Sequence, residues 1–290
     1  MTIAARRAAV LGHPVAHSLS PALHRAAYEA LGLDAWRYDA VDVTSEALEG
    51  FVAGLDESWA GLSLTMPLKH TVVPLLDHVE PLAELVGAVN TVLVQPSARG
   101  SVVLTGANTD VYGIVAALRE GGHGTESLPP RCVVLGSGAT AASALAAIGE
   151  LGCPGATVFA RSLARIGPLM RAAHRMGLDP DFRTFDQDTA AAVAEADVVV
   201  STAPAHGADH VAEALDGAAV GGGAVLLDVV YEPRPTALMA AWRAAGGVAV
   251  GGERMLLHQA AEQVRLMTGR VAPVAEMDRA LAHALGESTH

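Results

Sequence analysis

An apolar stretch that reads as a buried strand ends in Gly136, Ser137 and Gly138, and Ala139 then opens an alanine-rich predicted helix. Glycines let a backbone approach a ligand closely, and the first N–H groups of a helix attract an anion such as a pyrophosphate. Ala141 replaces the third glycine of the usual G-x-G-x-x-G, which is tolerated because that position packs against the strand. The pattern predicts a dinucleotide site, although glycines also close ordinary turns.

Basic side chains follow the next predicted strand. The segment 151–178 contains four arginines and no carboxylate, in a chain whose formal net charge is −12. NAD-binding units place an acidic residue here for the ribose 2′-hydroxyl, whereas arginine supplies planar donors that suit a 2′-phosphate. We therefore expect Arg161, Ser162 and Arg165 to bind that phosphate, and the cofactor to be NADP rather than NAD. The other two arginines are more simply part of a solvated helix face: Arg171 and Arg175.

Four further segments carry polar side chains in unusual density. They read SLSP at 18–21, SLTMPLK at 63–69, GAVNT at 87–91 and GANTDVYG at 106–113. A serine before a helix is ordinarily its N-cap, and capping alone would explain Ser20. Capping does not explain Ser18 on the same loop, so a binding role for the pair stays open.

Taken in order, these segments resemble the shikimate dehydrogenase family. Six family patterns occur along the chain: S-x-S-P-x-x-H at 18–24, x-x-T-x-P-x-K at 63–69, G-A-V-N-T at 87–91, N-T-D-x-x-G at 108–113, Y-x-P-x-x-T at 231–236 and G-x-x-M-L-x-x-Q-A at 252–260. The resemblance covers essentially the whole chain, and six ordered motifs are far more specific than any one of them.

The resemblance implies a reversible NADP-linked reduction of 3-dehydroshikimate to shikimate, a step of aromatic amino acid (chorismate) biosynthesis. It implies that Ser18 and Ser20 bind the substrate carboxylate and that Lys69 and Asp110 are the catalytic pair. Further residues are expected at the substrate: Ser63, Thr65, Asn90, Tyr231 and Gln259. The expected cofactor residues are those of the glycine loop and the arginine segment, together with Gly252.

The sequence departs from the family pattern at two places. Ser63 stands where the family often has asparagine, which puts one substrate hydrogen bond in doubt. The loop reads Gly-Ser-Gly-Ala where the family often has Gly-Ala-Gly-Gly, and Ala160-Arg161-Ser162 replaces Asn-Arg-Thr. These changes affect fine affinity more than reaction type.

Lys69 and Asp110 also suit a ketone reductase on chemical grounds. Hydride addition to a ketone leaves an alkoxide, which needs a proton and a nearby positive charge. A lysine is ordinarily an ammonium at neutral pH and can supply both. The aspartate can orient the lysine and accept a hydrogen bond from a substrate hydroxyl.

Short apolar runs alternate with helical patterns, which predicts an α/β fold with largely parallel sheets. The chain has 290 residues, which suggests about two domains. The family resemblance implies a discontinuous substrate domain, 1–109 plus 252–290, and a Rossmann-type NADP domain with a parallel sheet, 110–251. Strands are expected at 8–11, 36–41, 60–64, 89–95, 101–105, 131–135, 156–160, 197–201, 224–228 and 247–250. Helices are expected at 20–32, 44–54, 110–120, 139–151, 163–176, 188–195, 235–245, 254–268 and 273–285.

Composition and charge exclude several classes of protein. A net charge of −12 should repel nucleic acid and anionic membrane. No apolar run reaches the roughly 20 residues that span a bilayer, and no signal peptide is recognisable. Cys132 and Cys153 lack a C-x-x-C spacing, and no histidine pair has metal-ligand spacing on a helix, so we expect no metal. We expect a cytoplasmic monomer or homodimer whose partner is its small-molecule substrate.

Two rival functions remain. A quinate or quinate/shikimate dehydrogenase would share the fold and the catalytic pair, and differ in substrate or cofactor. A non-catalytic ligand-sensing protein of the same fold would be expected to lose Lys69 or Asp110, and both are present.

Overall fold

The computed structural model describes residues 5–97, 100–122, 130–153 and 155–287. It confirms the α/β fold class, with two six-stranded sheets. The chain divides into two compact units, which are Met1–Thr109 with Leu257–His290, and Asp110–Leu256. This division falls inside one helix, Gly252–Thr268, whereas the sequence-based boundary falls at the start of that helix.

The first unit combines an N-terminal and a C-terminal segment of the chain. Its strands are β1 Arg7–Gly12, β2 Arg37–Asp42, β3 Trp59–Leu64, β4 His78–Val79, β5 Thr91–Pro96 and β6 Val102–Ala107. Its helices are α1 Ser20–Ala30, α2 Leu48–Ala53, α3 Leu68–Thr71, α4 Pro81–Val86 and α12 Val274–Ala284, with a 3₁₀ helix at Val73–Leu75 and most of α11, Gly252–Thr268.

The sheet of the first unit is mixed and has the order β2-β1-β3-β5-β6-β4. Strand β5 is antiparallel to both β3 and β6, whereas the other neighbours are parallel. The connection between β5 and β6 is residues 97–101 only, too short for the crossover that a parallel pair requires. The two sheets are largely parallel, as expected, and β5 is the antiparallel exception.

The second unit is built on a parallel sheet. Its strands are β7 Cys132–Leu135, β8 Thr157–Ala160, β9 Asp181–Thr184, β10 Val198–Ser201, β11 Val225–Asp228 and β12 Val248–Gly251. Its helices are α5 Asp110–Glu120, α6 Ala139–Glu150, α7 Gly167–Arg175, α8 Thr189–Ala194, α9 Asp209–Ala214 and α10 Ala237–Ala244, with a 3₁₀ helix at Leu163–Arg165.

The order of the second sheet is β12-β11-β10-β7-β8-β9, with every neighbouring pair parallel. The first strand of the unit, β7, therefore lies between the second, β8, and the fourth, β10. The chain moves outward in one direction from β7 and then in the other, which is the doubly wound arrangement of a Rossmann-type domain. Ligands of such sheets bind where the direction changes, at the carboxyl ends of β7 and β10.

Several elements escaped sequence prediction for physical reasons. Strand β9 is almost wholly exposed or half-buried, so it lacks the apolar pattern of an inner strand. Strand β4 has two residues and helices α3, α4 and α9 have four to six, which is too short for a periodic signal. The helix expected at 163–176 is divided, because Ser162 caps a 3₁₀ turn and Pro168 starts α7.

Among the described residues, none of the helices combines the length and the apolar composition that crossing a bilayer requires.

Candidate active site

Predicted substrate residues of the first unit lie at the ends of neighbouring strands of its sheet. The Thr65 amide, just after β3, donates to the Leu11 carbonyl near the end of β1, at 2.9 Å. The Asn90 carbonyl, just before β5, accepts from the Leu64 amide at 2.7 Å. Because β5 runs antiparallel to β3, its beginning lies beside the end of β3. The sheet thus brings together polar groups that lie far apart in sequence.

The Asn90 side chain is the centre of a buried hydrogen-bond network. Its Oδ1 accepts from the Thr109 backbone amide at 2.8 Å and from the Thr91 hydroxyl at 2.9 Å. Since a backbone N–H can only donate, this contact identifies the oxygen of the amide. The Nδ2 group then donates to the Thr109 hydroxyl at 2.9 Å and to Gln259 Oε1 at 3.3 Å. The amides of Asn90 and Gln259 are therefore oriented together.

Ser63 is buried, and its hydroxyl takes part in a second set of hydrogen bonds. It accepts from the Tyr38 hydroxyl at 2.6 Å and donates to Gln263 Oε1 at 2.8 Å. Gln263 in turn donates through Nε2 to the Asn90 carbonyl at 3.3 Å and to the Thr91 hydroxyl at 3.0 Å. Ser63 stands where the family often has asparagine, and its only hydrogen-bond donor is directed at a protein group, Gln263.

His24 is completely buried next to this network. Its Nε2 faces Gln263 Oε1 at 3.2 Å, and its ring stacks on Tyr38 with a centroid distance of 3.9 Å. Burial lowers the pKa of His24 to about 3, although the hydrogen bond to Gln263 opposes the shift. The imidazole is therefore neutral at physiological pH and, facing an amide oxygen, donates from Nε2.

Ser18 and Ser20 lie at the start of α1. The N-cap of this helix is Leu19, and no side chain caps it, so the ordinary capping role does not account for Ser20. The Ser18 hydroxyl accepts from the Ser20 amide at 3.3 Å, and the Ser20 side chain is buried. Ser18 therefore lies just before α1, and Ser20 is the first residue of that helix.

Lys69 lies in α3, one turn beyond Thr65, and is half-buried. Its carbonyl accepts from the Val89 amide at 2.9 Å, which ties α3 to the segment that ends at Asn90. Lys69 is the only lysine in the chain, beside 18 arginines.

The glycine loop of the second unit lies where the sheet changes direction. Gly136 follows β7, has a φ of +112° and donates its amide to the Phe159 carbonyl at 2.8 Å. A Cβ at this position would lie 2.4 Å from Thr202 Oγ1 and 3.2 Å from the Ala203 amide nitrogen. Thr202, just after β10, was not predicted from the sequence, because only the strand order places it beside β7.

Gly138 and Ala139 mark the start of α6. Gly138 is the N-cap, with no side chain capping the helix, and a Cβ there would meet open space. The first amides of a 12-residue helix therefore face an open region at the carboxyl end of β7. Ala141, at the position of the third glycine, is completely buried, as expected for a residue packed between helix and strand. This geometry fits a pyrophosphate.

The predicted phosphate-binding residues follow β8, the strand next to β7. Arg161 and Arg165 are exposed, and neither forms an ion pair with another of the described residues. The Ser162 hydroxyl accepts from the Ala164 amide at 3.3 Å, so this residue has a local capping role. Two guanidinium groups are thus presented next to the strand that adjoins the glycine loop.

Three other predicted residues belong to the second unit. Asp110 is the buried first residue of α5. Tyr231 is half-buried after β11, and its pKa is raised, chiefly by burial. Gly252 starts α11, where a Cβ would lie 2.1 Å from the Val229 carbonyl oxygen, so close packing alone requires glycine there. Over the described ranges, no cluster of three histidine, cysteine or acidic side chains could hold a metal ion.

The strained glycine gives the first prediction. Gly136→Ala should lower the free energy of unfolding of the protein by at least about 2 kcal/mol, because alanine is disfavoured at positive φ and its Cβ would overlap Thr202. Gly138→Ala is the matched control, since Gly138 has a φ of −85° and space for a methyl group. Urea denaturation checks both variants. Equal stability of the two variants would show that the loop conformation is not the one described.

The buried histidine gives the second prediction. In the unfolded chain His24 binds a proton below about pH 6.5, whereas in the folded chain it does so only below about pH 3. The unfolded state therefore holds one more proton between these values, and stability falls as the pH falls, by about 1.4 kcal/mol per pH unit from this group.

The free energy of unfolding measured between pH 6.5 and pH 4 should therefore fall more steeply for the wild type than for His24→Phe. Tyr28→Phe removes a hydroxyl from the same aromatic cluster, keeps the histidine and should retain the wild-type slope. Parallel curves for the wild type and His24→Phe would contradict the assignment of a buried neutral imidazole.

Comparisons with known proteins match two segments of the chain to models of the same family. The shikimate dehydrogenase substrate binding domain matches residues 10–92, and the shikimate 5′-dehydrogenase C-terminal domain matches residues 252–282. The shikimate dehydrogenase (NADP(+)) of Citrifermentans bemidjiense is 40% identical over 280 residues, which cover 95% of this chain and 94% of that protein.

Two solved structures are similar over nearly the full length. Shikimate 5-dehydrogenase from Thermus thermophilus, in complex with NADP(H) and shikimate, has a TM-score of 0.78 and 33% identity, and covers 96% of this chain and 99% of its own. Quinate dehydrogenase from Corynebacterium glutamicum, in complex with NAD, has a TM-score of 0.79 and 28% identity, with the same coverage of both chains. Together with the sequence relative above, these similarities show that the chain belongs to the shikimate dehydrogenase family.

Proposed function

We propose that this protein catalyses the reversible NADPH-dependent reduction of 3-dehydroshikimate to shikimate in aromatic amino acid biosynthesis. The observation that carries the proposal is the buried network that orients the amides of Asn90 and Gln259. Residues 1–109 and 252–290 form the proposed substrate domain, and residues 110–251 form the proposed NADP domain. Family membership at 40% identity supports the same activity.

The proposed substrate site matches a carboxylate on a ring that carries hydroxyls. Ser18 and Ser20 present two hydroxyl donors to the carboxylate from the start of α1. Thr65, Asn90 and Gln259 bind the ring hydroxyls, because hydroxyl and amide groups can both donate and accept. Ser63 and Tyr231 complete the proposed set. A site built from such groups discriminates strongly against a ligand that lacks a hydroxyl, since the protein group is then left unpaired.

The residues of the second unit fit NADP. Gly136, Ser137 and Gly138 with Ala139 would hold the pyrophosphate at the start of α6, and Gly252 is the remaining proposed contact. Arg161, Ser162 and Arg165 would hold the 2′-phosphate, for which arginine has the matching planar geometry. When bound, the cofactor supplies a hydride to the substrate ketone or accepts one from the alcohol.

Lys69 and Asp110 are the proposed catalytic pair. Lys69 donates the proton that the developing alkoxide needs during reduction, and its positive charge stabilises that oxygen. In the reverse direction the neutral amine accepts the proton from the shikimate hydroxyl. Asp110 accepts a hydrogen bond from a substrate hydroxyl. A guanidinium could supply the charge but not the proton, which agrees with the presence of one lysine among 18 arginines.

An assay with four combinations separates this function from its rivals. Initial rates are measured with shikimate or quinate, each with NADP or NAD. We expect the highest kcat/KM with shikimate and NADP. Preference for quinate and NAD would assign the chain to the activity of the Corynebacterium neighbour. Turnover of none of the four, with shikimate still bound, would favour the ligand-sensing alternative.

Exchange of the single lysine gives the third prediction. Lys69→Arg keeps the charge and removes the transferable proton, so kcat should fall by about 100-fold or more while the KM for shikimate changes little. Arg279→Lys is the control, because it exchanges the same two side chains at an exposed ion pair with Glu276 on α12. Equal effects of Lys69→Arg on kcat and KM would instead argue for a binding role.

The arginine segment gives the fourth prediction. Arg161→Ala and Arg165→Ala should each raise the KM for NADP about tenfold or more and leave the KM for NAD nearly unchanged, since only NADP carries the 2′-phosphate. Arg171→Ala on α7 is the control, because it removes an exposed arginine from the solvated face. Loss of NAD and NADP affinity to the same extent would remove the phosphate assignment.

A further inference from the structure

Tyr38 is the only buried residue of β2, the strand at the edge of the first sheet. Its ring stacks on His24, and its pKa is raised, chiefly by burial, although its hydroxyl's interactions with Ser63 and Ser20 lower it. Nothing in the family patterns assigns a role to this residue. Phenylalanine would fill the same space without the cost of burying a hydroxyl, so the hydroxyl needs an explanation.

The direction of each hydrogen bond from Tyr38 follows from one backbone group. The Asn90 carbonyl can only accept, so the atom of Gln263 that faces it is Nε2, and the other atom is Oε1. Oε1 can only accept, so the Ser63 hydroxyl, 2.8 Å away, must donate to it. Ser63 has one hydrogen, so the Tyr38 hydroxyl, at 2.6 Å, must donate to Ser63.

The same chain of donors continues to the proposed substrate residues. Gln263 Nε2 donates to the Thr91 hydroxyl at 3.0 Å, and Thr91 donates to Asn90 Oδ1 at 2.9 Å. Asn90 Nδ2 then donates to Gln259 Oε1 at 3.3 Å. These contacts form one continuous chain of hydrogen bonds, which couples Gln259 to the Tyr38 hydroxyl.

We propose that Tyr38 is a positioning residue of the substrate site, whose hydroxyl supports the buried network that holds the amides of Asn90 and Gln259, through Ser63, Gln263 and Thr91. This inference rests on the proposed function and deepens it. It also gives Ser63 a role: serine accepts from Tyr38 and passes the hydrogen bond on to Gln263. Tyr38 touches no reacting atom, so its loss should weaken substrate binding rather than abolish turnover.

Tyr28 supplies a matched control. It lies in the same aromatic cluster, with its ring 6.4 Å from that of Tyr38, and it is almost fully buried. Its hydroxyl finds no hydrogen-bond partner within the described residues. Tyr28→Phe and Tyr38→Phe therefore remove the same atom from neighbouring buried positions, and only the second removes it from the relay.

Steady-state kinetics with shikimate and NADP tests the proposal. Tyr38→Phe should raise the KM for shikimate about tenfold, corresponding to the loss of one hydrogen bond, with the KM for NADP unchanged and kcat within about threefold. Tyr28→Phe should leave all three constants within about twofold. Identical kinetics for the two variants, or a lower melting temperature of Tyr38→Phe with an unchanged KM for shikimate, would overturn the positioning role.

A double-mutant cycle adds an independent readout. Ser63→Ala interrupts the relay at its second member, so Tyr38→Phe combined with Ser63→Ala should be no worse than Ser63→Ala alone. Additive losses would contradict the relay.

A wild-type protein without turnover would overturn the proposed function instead. Shikimate binding would then be measured for Tyr38→Phe and for Tyr28→Phe as the rise in melting temperature on adding shikimate. Equal rises, or no rise in either variant, would overturn the inference.

Discussion

The hydrogen bond from the Thr109 backbone amide to Asn90 Oδ1 is the contact on which the arrangement of the proposed substrate residues depends. It decides which end of the Asn90 amide donates, and the orientation of Gln259 follows from it. Asn90 lies just before β5 and Thr109 just after β6. Because these two strands are antiparallel, the start of one lies beside the end of the other, and the contact becomes possible. The antiparallel strand that was not expected from the sequence is thus the feature that builds the site.

The two units meet different physical requirements. In the first, the buried amides of Asn90 and Gln263 are paired through both oxygen and nitrogen, and this pairing gives each amide one orientation, because an unsatisfied buried group costs about 1–3 kcal/mol. In the second, backbone conformation is decisive, because a glycine at positive φ turns the chain from β7 into α6. The strand order alone places this glycine next to Thr202. Side-chain hydrogen bonds thus define the first site, and strand order with helix geometry the second.

Sequence patterns predict best those features that depend on neighbours in sequence. Most of the longer helices and the glycine turn after β7 are of this kind, and the roles of the arginines after β8 remain a prediction. No role was predicted for four residues of the network, because their hydrogen-bond partners are remote in sequence: Tyr38, Thr91, Thr109 and Gln263. An example is the contact between Ser63 and Gln263, which are 200 residues apart. No periodicity reports such a contact. Ser63 did carry a signal, since it departs from the family pattern, but only the structure shows what its hydroxyl bonds to.

The most direct test of the proposed reaction is the transfer of a deuteride to the substrate. NADPH carrying deuterium at both C4 positions is incubated with the protein and 3-dehydroshikimate, and the shikimate formed is analysed by mass spectrometry. The proposed function predicts one deuterium per molecule of product, bonded to the carbon that was the ketone. Shikimate without deuterium, or no shikimate at all from a folded protein that binds NADPH, would contradict it.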